Sequence, residues 1–190
     1  MADTIAAIAT GAQVAAIGII RISGPEALPI VDRLFRPASG KLMSEYEDRK
    51  LVYGRLTDLS GDLLDLCLCT VSHAPHSYTG EDTAELQCHG SPTVLRAALE
   101  ELFHAGARQA LPGEFTKRAF LSGRMELSSA EAVADIIDAE SIECAKNAAA
   151  QLSGAVAVKA DNIYSTLTDI SSHYHAVLDY PDEDIEDFRL

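Results

Sequence analysis

The sequence has no continuous apolar run approaching the roughly 18 residues that a membrane-spanning helix requires. Its amino-terminal segment, MADTIAAIATG, also has no cationic residues ahead of the apolar ones, which excludes a secretion signal of the usual form. These two absences predict a soluble, cytoplasmic protein with no membrane partner.

Cysteine is scarce, and its spacing does not suit a metal site. The chain has Cys67, Cys69, Cys88 and Cys144, of which only the first two are close in sequence. A zinc site of the usual kind shows a C-x₂₋₄-C pair plus a second ligand pair, and neither the cysteines nor the six histidines complete one. We therefore expect reduced, mostly buried thiols and no bound metal.

Two catalytic motifs are missing. There is no G-x-x-x-x-G-K-[ST] stretch, which cradles nucleotide phosphates, and no G-x-S-x-G turn, which carries a nucleophilic serine. We therefore do not expect these 190 residues alone to hydrolyse a nucleoside triphosphate, and the sequence by itself assigns no catalytic residue.

Basic residues are few, and acidic residues concentrate near the carboxyl end. The formal net charge is −14; residues 1–124 carry 12 Lys and Arg against 15 Asp and Glu, whereas residues 125–190 carry 3 against 14. Nucleic-acid binding needs a concentrated positive surface, so the last third is a poor candidate for it. The first two thirds are close enough to neutral to contain a local cationic pocket.

Apolar periodicity in the first two thirds alternates between strands and helices. Gly106 should end the second helix, and Pro25 and Pro92 suit the first turns of two helices. The predicted strands are TIAAIAT, AAIGIIRIS, KLVYGRLTD, LLDLCLCTVSHA and DTAELQCHG. This pattern predicts an α+β domain.

From Ser128 to about Leu178 the sequence shows no strand signal and no proline. Ser128 and Glu131 have the spacing of a capping box, and Gly154 is the one expected break, so we predict one or two long helices. The acidic run at 179–187 is typical of a solvated helix end or linker; a Mg²⁺ site is the alternative.

Arg21 lies near the end of a predicted buried strand, in GIIRISGP. A cation in such a position needs a partner. The sequence leaves two interpretations open, a salt bridge with Asp32 or Glu85 and an arginine positioned to bind a ligand carboxylate.

Glu85 lies in the predicted strand DTAELQCHG, on the same strand face as Gln87. A carboxylate beside an amide can bind the amino and ring N–H edge of a flat heterocycle. The alternative is an edge strand with its polar face in solvent.

The densest basic cluster lies in LPGEFTKRAFLSGRMELSSAEAVADII, between two predicted helix starts, and comprises Lys117, Arg118 and Arg124. Helix amino termini and cations together attract anions, so this stretch is a candidate anion site. A solvated basic helix surface is the alternative.

Four stretches, IGIIRISGP, SYTGEDTAELQCHGSP, LPGEFTKRAFLSGRMELSSAEAVADIIDAES and LDYPDEDIE, occur in the order found in the tRNA-modifying GTPase family MnmE, also called TrmE. The chain resembles the amino-terminal part of that family over nearly its whole length. The resemblance implies an α+β domain at 1–120, similar to the folate-binding domain of aminomethyltransferases, and an all-α segment at 121–190 that begins a helical domain.

The resemblance also implies ligands and partners. The expected one-carbon donor is 5-formyltetrahydrofolate or 5,10-methylenetetrahydrofolate, whereas GTP, Mg²⁺ and K⁺ belong to a GTPase domain that these residues do not include. The family forms homodimers and works with a flavoprotein, MnmG, on C5 of the wobble uridine of tRNA. Binding of tRNA is expected of the full complex and not of this part alone.

Matching the family's motifs residue by residue implies that Arg21, Glu85 and Arg124 contact the folate. Arg124 stands where the family more often has lysine. Two other functions stay open: a dimerisation module with a vestigial pocket, and a folate-dependent enzyme of the aminomethyltransferase type.

Overall fold

The computed structural model describes residues 3–179. The chain forms two compact units, Met1–Met125 and Glu126–Leu190, and each is described by itself. The division falls a few residues after the boundary expected at 120/121, because helix α3 (Glu114–Leu121) belongs to the first unit.

The first unit is built on a mixed sheet with the strand order β3-β4-β5-β6-β2-β1-β7. All neighbouring strands are antiparallel except β1 and β7, which are parallel. The strands are β1 (Ile5–Ile8), β2 (Ile17–Ser23), β3 (Phe35–Pro37), β4 (Val52–Thr57), β5 (Leu63–Ser72), β6 (Thr83–His89) and β7 (Arg108–Gln109).

Two helices, α1 (Ala27–Leu34) and α2 (Pro92–His104), contribute to a core with one face of this sheet. We call this the inner face. Leu34 of α1 and Leu102 of α2 are fully buried, as are the strand residues Ile20 and Leu86. The alternation of buried and half-exposed residues along β2 and β6 leaves a second, outer face that is only partly covered.

The five predicted strands and the predicted helices after Pro25 and before Gly106 are confirmed in the first unit, but Pro25 precedes the cap residue Glu26 of α1 and is not in the first turn of that helix. The short strands β3 and β7 were not predicted, because two or three residues are too few to show periodicity. The edge-strand alternative for Glu85 is wrong, since β6 pairs with β5 on one side and β2 on the other.

The second unit is helical, as predicted, but the number and start of its helices differ from the prediction. Its described residues form three helices, α4 (Leu127–Ile137), α5 (Ile142–Leu152) and α6 (Ala155–Asp179). Gly154 does separate two of them, with φ of +87°. The break before α5 was missed; there the Ser141 side chain accepts a hydrogen bond from the Cys144 backbone N–H.

The predicted capping box of Ser128 and Glu131 is wrong. Helix α4 already begins at Leu127, and its cap residue, Glu126, makes no side-chain capping bond. The buried side of α4 includes Ser129 in its first turn, so packing rather than a serine cap sets its start. The acidic run at 179–187 lies outside the described residues apart from Asp179.

Across the described part of the chain, each helix is too short or too polar to traverse a lipid bilayer.

Gly54 of β4 allows close packing against β3. A Cβ added there would lie 2.5 Å from the Arg36 carbonyl oxygen and 2.5 Å from the Phe35 ring. We predict that Gly54→Ala lowers the free energy of unfolding by roughly 1–3 kcal/mol, because backbone and a buried ring must shift. Urea unfolding measures the change.

Gly11→Ala is the matched control, because a Cβ there meets nothing within 4 Å. Equal stability of the Gly54 and Gly11 variants would contradict the packing of β3 against β4.

Candidate functional site

Arg21, Glu85 and Thr70 form a row across β2, β6 and β5. Arg21 is paired with Glu85, and Glu85 with Thr70, in the register of the sheet. Side chains opposite each other in a sheet point to the same face. The three residues therefore meet on the outer face.

Arg21 and Glu85 are held together by an ion pair. The Arg21 Nε atom lies 2.8 Å from Glu85 Oε1, and both side chains are about one-third exposed. Asp32, the other partner considered, instead accepts hydrogen bonds from the backbone N–H groups of Met43 and Ser44. The ion pair orients the guanidinium through Nε, and its terminal nitrogens have no hydrogen-bond partner among the described residues.

Aromatic rings flank the same guanidinium. Its central carbon lies 5.7 Å from the ring centre of Tyr78 and 5.6 Å from that of Phe115, distances at which cation–π attraction contributes. Tyr78 comes from the loop between β5 and β6, and Phe115 from α3. The guanidinium is therefore fixed on three sides before any ligand arrives.

A cavity of about 190 Å³ opens beside this row. Its lining includes the three row residues together with Arg49, Val71, Ser72, Tyr78, Thr79 and Thr83. Pockets for whole drug-sized ligands usually measure roughly 300–1,000 Å³, so this one suits a single ring system with the rest of the ligand outside.

Thr70 has an unsatisfied hydroxyl. Its Oγ1 atom is buried and has no hydrogen-bond partner among the described residues. A buried polar atom without a partner costs free energy, and a ligand atom in the adjoining cavity would remove that cost. Sequence reasoning missed Thr70, because only the pairing of β5 with β6 places it beside Glu85.

Arg124, the third predicted folate contact, is not in the cavity lining. Its Cγ atom would lie 3.3 Å from a Cβ added to Gly80, and Gly80 follows the cavity residues Tyr78 and Thr79. The structure thus brings Arg21 and Glu85 together and places Arg124 beside the loop that closes the cavity.

Arg118, one residue of the basic cluster that was predicted to bind anions, has a different role. This side chain is only 12% exposed and contacts three carboxylates, those of Asp3, Glu81 and Glu114. Its positive charge is already neutralised within the protein, so neither a free anion site nor a solvated surface describes it. The spacing of Glu114 and Arg118, four apart on one helix, was the sequence signal for part of this network.

The network joins separate parts of the first unit. Arg108 also bonds Asp3 and Glu114, which links β7 to the amino terminus and to α3. The Arg108 guanidinium lowers the pKa of Glu114 to about 2 and holds the pKa of Asp3 near 2 as well. The Ser122 hydroxyl, just after α3, donates to the Thr79 carbonyl oxygen in the cavity loop.

Cys67, Cys69 and Cys88 are buried, as expected of most of the cysteines, and Cys144 is exposed.

With this fold and site in view, comparison with known proteins shows the family. Residues 4–124 match the family described as "GTP-binding protein TrmE N-terminus", and residues 127–190 match the "MnmE helical domain". The chain belongs to the MnmE (TrmE) family of tRNA modification GTPases, and comprises its amino-terminal and helical parts.

Similar curated proteins have the same family name. A "tRNA modification GTPase MnmE" of Symbiobacterium thermophilum is 45% identical over 97% of this chain, and one of Bacteroides thetaiotaomicron is also 45% identical over 97%. One of Clostridioides difficile is 44% identical over 97%. The chain spans about 40% of the length of these relatives.

Glu114 should contribute stability that depends on pH. Because its folded-state pKa is depressed from 4.5 to about 2, the contribution is complete above pH 4.5 and is lost as the pH falls towards about 2. We predict that Glu114→Gln lowers the free energy of unfolding at neutral pH by roughly 1–3 kcal/mol, and that the difference from wild type shrinks across that acid range. Urea unfolding at a series of pH values measures both.

Glu143→Gln serves as the control. Glu143 is 79% exposed and bonds only Lys146, at 3.2 Å, so its removal should cost less than about 1 kcal/mol. A Glu114 variant that loses no stability at neutral pH would contradict the structural role of the network.

Proposed function

We propose that this chain is the folate-binding and dimerising part of a tRNA-modifying GTPase. The observation that carries the proposal is the row of Arg21, Glu85 and Thr70 beside a small cavity on the outer face of the sheet. The one-carbon donor is 5-formyltetrahydrofolate or 5,10-methylenetetrahydrofolate. The full protein, with a flavoprotein of the MnmG type, would use it to modify C5 of the wobble uridine of tRNA.

The cavity residues fit the pterin end of such a folate. Among the described residues Glu85 bonds Arg21 through Oε1 and makes no bond through Oε2, so Oε2 can accept from the amino and ring N–H groups of an aminopyrimidine. The Thr70 hydroxyl supplies a further polar partner, and Tyr78 and Phe115 supply apolar ring surface near the guanidinium. A volume of about 190 Å³ suits the ring system and leaves the glutamate tail outside.

Each cation in this proposal has a separate role. The terminal nitrogens of Arg21 bind a carbonyl or carboxylate oxygen of the folate, because the ion pair with Glu85 leaves them available. Arg124 binds the part of the ligand that extends past the Gly80 loop. The folate supplies the one-carbon unit, and the protein residues bind and orient it.

The test is calorimetric titration of 5-formyltetrahydrofolate into the purified chain. Glu85→Gln replaces an acceptor with an amide donor facing ring N–H groups, and we predict an affinity lower by about tenfold to a hundredfold. Arg21→Lys should also weaken binding, because lysine cannot form the two parallel bonds of a guanidinium. Arg124→Lys should have a smaller effect, since lysine keeps the charge.

The Thr70→Val variant extends this titration. Valine keeps the shape but removes the unpaired hydroxyl, so the ligand-free protein should be as stable as wild type or more so, whereas folate affinity should fall about twofold to tenfold. Lys146→Ala, on an exposed side chain of the helical unit, is the control and should change nothing. If Glu85→Gln binds as tightly as wild type while Lys146→Ala abolishes binding, the folate site is elsewhere.

Dimerisation without ligand binding is the second candidate function. One observation favours a dimer whether or not the chain binds folate. The outer face carries an exposed apolar patch next to the row, formed by Ile17, Tyr53 and Leu66, which are 58%, 54% and 42% exposed. Contiguous apolar surface of this kind is typical of protein interfaces.

We predict that the chain is a homodimer at micromolar concentration and that Leu66→Lys weakens the dimer at least tenfold, because an ammonium group would be buried in the interface. Sedimentation equilibrium measures the association. Ile142→Lys, at a 72% exposed position of the helical unit, is the control. A monomeric wild-type chain at high micromolar concentration would overturn the dimer proposal.

A further inference from the structure

Two buried cysteines face each other on the inner side of the sheet. Leu68 of β5 pairs with Gln87 of β6, so Cys67, one residue earlier, lies opposite Cys88, one residue later. Both point away from the row of Arg21 and Glu85, and they are 5% and 2% exposed. The family motifs quoted above give this pair no role.

Asp65 completes a cluster with the two thiols. It lies two residues before Cys67 and therefore shares its strand face. One carboxylate oxygen of Asp65 and the two sulfur atoms all lie within 4.8 Å of one another. The Asp65 side chain is only 9% exposed, and the His89 ring holds it through Nδ1, 2.7 Å from Oδ1.

The position of Asp65 is fixed from the backbone as well. Its Oδ2 atom accepts a hydrogen bond of 2.8 Å from the His89 backbone N–H. The Leu66 backbone N–H also donates to Oδ1, at 2.8 Å, so Oδ1 has two donors, whereas Oδ2 has one and keeps a lone pair for a metal ion. A histidine that orients a ligating carboxylate is a common arrangement around bound metals.

The chemistry of this cluster matches a soft or borderline divalent cation. Two thiolates and one carboxylate provide three of the four ligands of a tetrahedral zinc site, and water or the neighbouring imidazole can provide the fourth. Zn–S bonds of about 2.3 Å place tetrahedral ligand atoms roughly 3.8 Å apart. The distances between the three ligand atoms of the cluster, all within 4.8 Å, therefore need to shorten only slightly. Spacing in the sequence does not reveal this cluster, because the two cysteines are 21 residues apart and come together only through strand pairing.

The cluster lies near solvent on the side of Asp65, because the His89 ring that bonds this carboxylate is 74% exposed. Cys69, by contrast, is fully buried, and its thiol contacts the Thr70 carbonyl oxygen. Cys69 is therefore not part of the cluster and serves as an internal control.

We propose that Asp65, Cys67 and Cys88 form a binding site for Zn²⁺ or a cation of the same class, which would tie β5 to β6. This site does not depend on the proposed folate function and shares no lining residue with the folate cavity. Binding displaces one proton from each thiol to solvent, and the metal gains two thiolate ligands and one carboxylate ligand without any change of oxidation state.

The test uses the full chain, reduced and freed of metal by a chelator, with Co²⁺ as a spectroscopic probe. We expect one Co²⁺ per chain, with the near-ultraviolet charge-transfer band of thiolate ligands and the strong visible bands of tetrahedral cobalt. Zn²⁺ should then displace Co²⁺ and remove these bands. A wild-type chain that shows no thiolate-to-cobalt band overturns the proposal whatever its variants do.

Matched variants locate the site. Cys67→Ala and Cys88→Ala should each lose the charge-transfer intensity of one thiolate and bind Zn²⁺ at least tenfold more weakly in competition with a chromophoric chelator. Asp65→Asn should also weaken Zn²⁺ at least tenfold, and Asp65→His should restore much of the affinity by supplying a nitrogen ligand.

Cys69→Ala and Cys144→Ala should keep both the spectrum and the affinity of wild type. Circular dichroism verifies that each variant is folded before titration. A band that keeps its full wild-type intensity in the folded Cys67→Ala and Cys88→Ala variants, or that disappears in Cys144→Ala, overturns the assignment.

Discussion

The strict alternation of side chains along the central strands governs the rest of this structure. Strands β2, β6 and β5 are adjacent and antiparallel, so every second residue of each points to the same face. One set of alternate residues fills the core under α1 and α2, and the other meets on the outer face. A slip of one residue in either pairing would turn one strand over relative to its neighbour, so that a polar residue of the row would face the core and an apolar residue the outer face, which makes the register energetically well determined.

The outer face of the sheet carries charged and polar side chains that would be too costly to bury in the core. The Arg21–Glu85 ion pair is only partly buried, so its desolvation cost is moderate and solvent or a ligand can still reach it. In the same place, the buried Thr70 hydroxyl without a hydrogen-bond partner lowers the free energy of unfolding. Polar groups that are oriented but incompletely satisfied are characteristic of binding sites, because a ligand rather than the protein completes their hydrogen bonds.

The largely buried guanidinium of Arg118 connects this face to the amino-terminal segment. Its carboxylate partners come from the amino terminus, the cavity loop and helix α3. Because a buried charge without its partners is costly, these segments hold one another in place. Glu81 thus anchors the loop that contributes Tyr78 and Thr79 to the cavity, and Glu114 anchors the helix whose Phe115 ring lies beside the Arg21 guanidinium.

Local patterns in the sequence were enough to predict most of the strands and helices. Period-two and helical patterns identified the long strands and helices, and Gly106 and Gly154 marked helix ends that the structure shows. They failed where packing overrides local preference, as at the start of α4, and where an element is too short to show a period, as in β3 and β7.

The sequence by itself determined the family, the α+β character of the first unit, the helical character of the second, and Arg21 and Glu85 as residues of interest. It left open whether those two residues paired with each other, and it could not reveal Thr70, the carboxylates around Arg118, or the approach of Cys67 to Cys88. Only the tertiary structure decided these contacts. Each joins residues far apart in sequence, and the side-chain pattern of one strand does not specify which strand lies beside it.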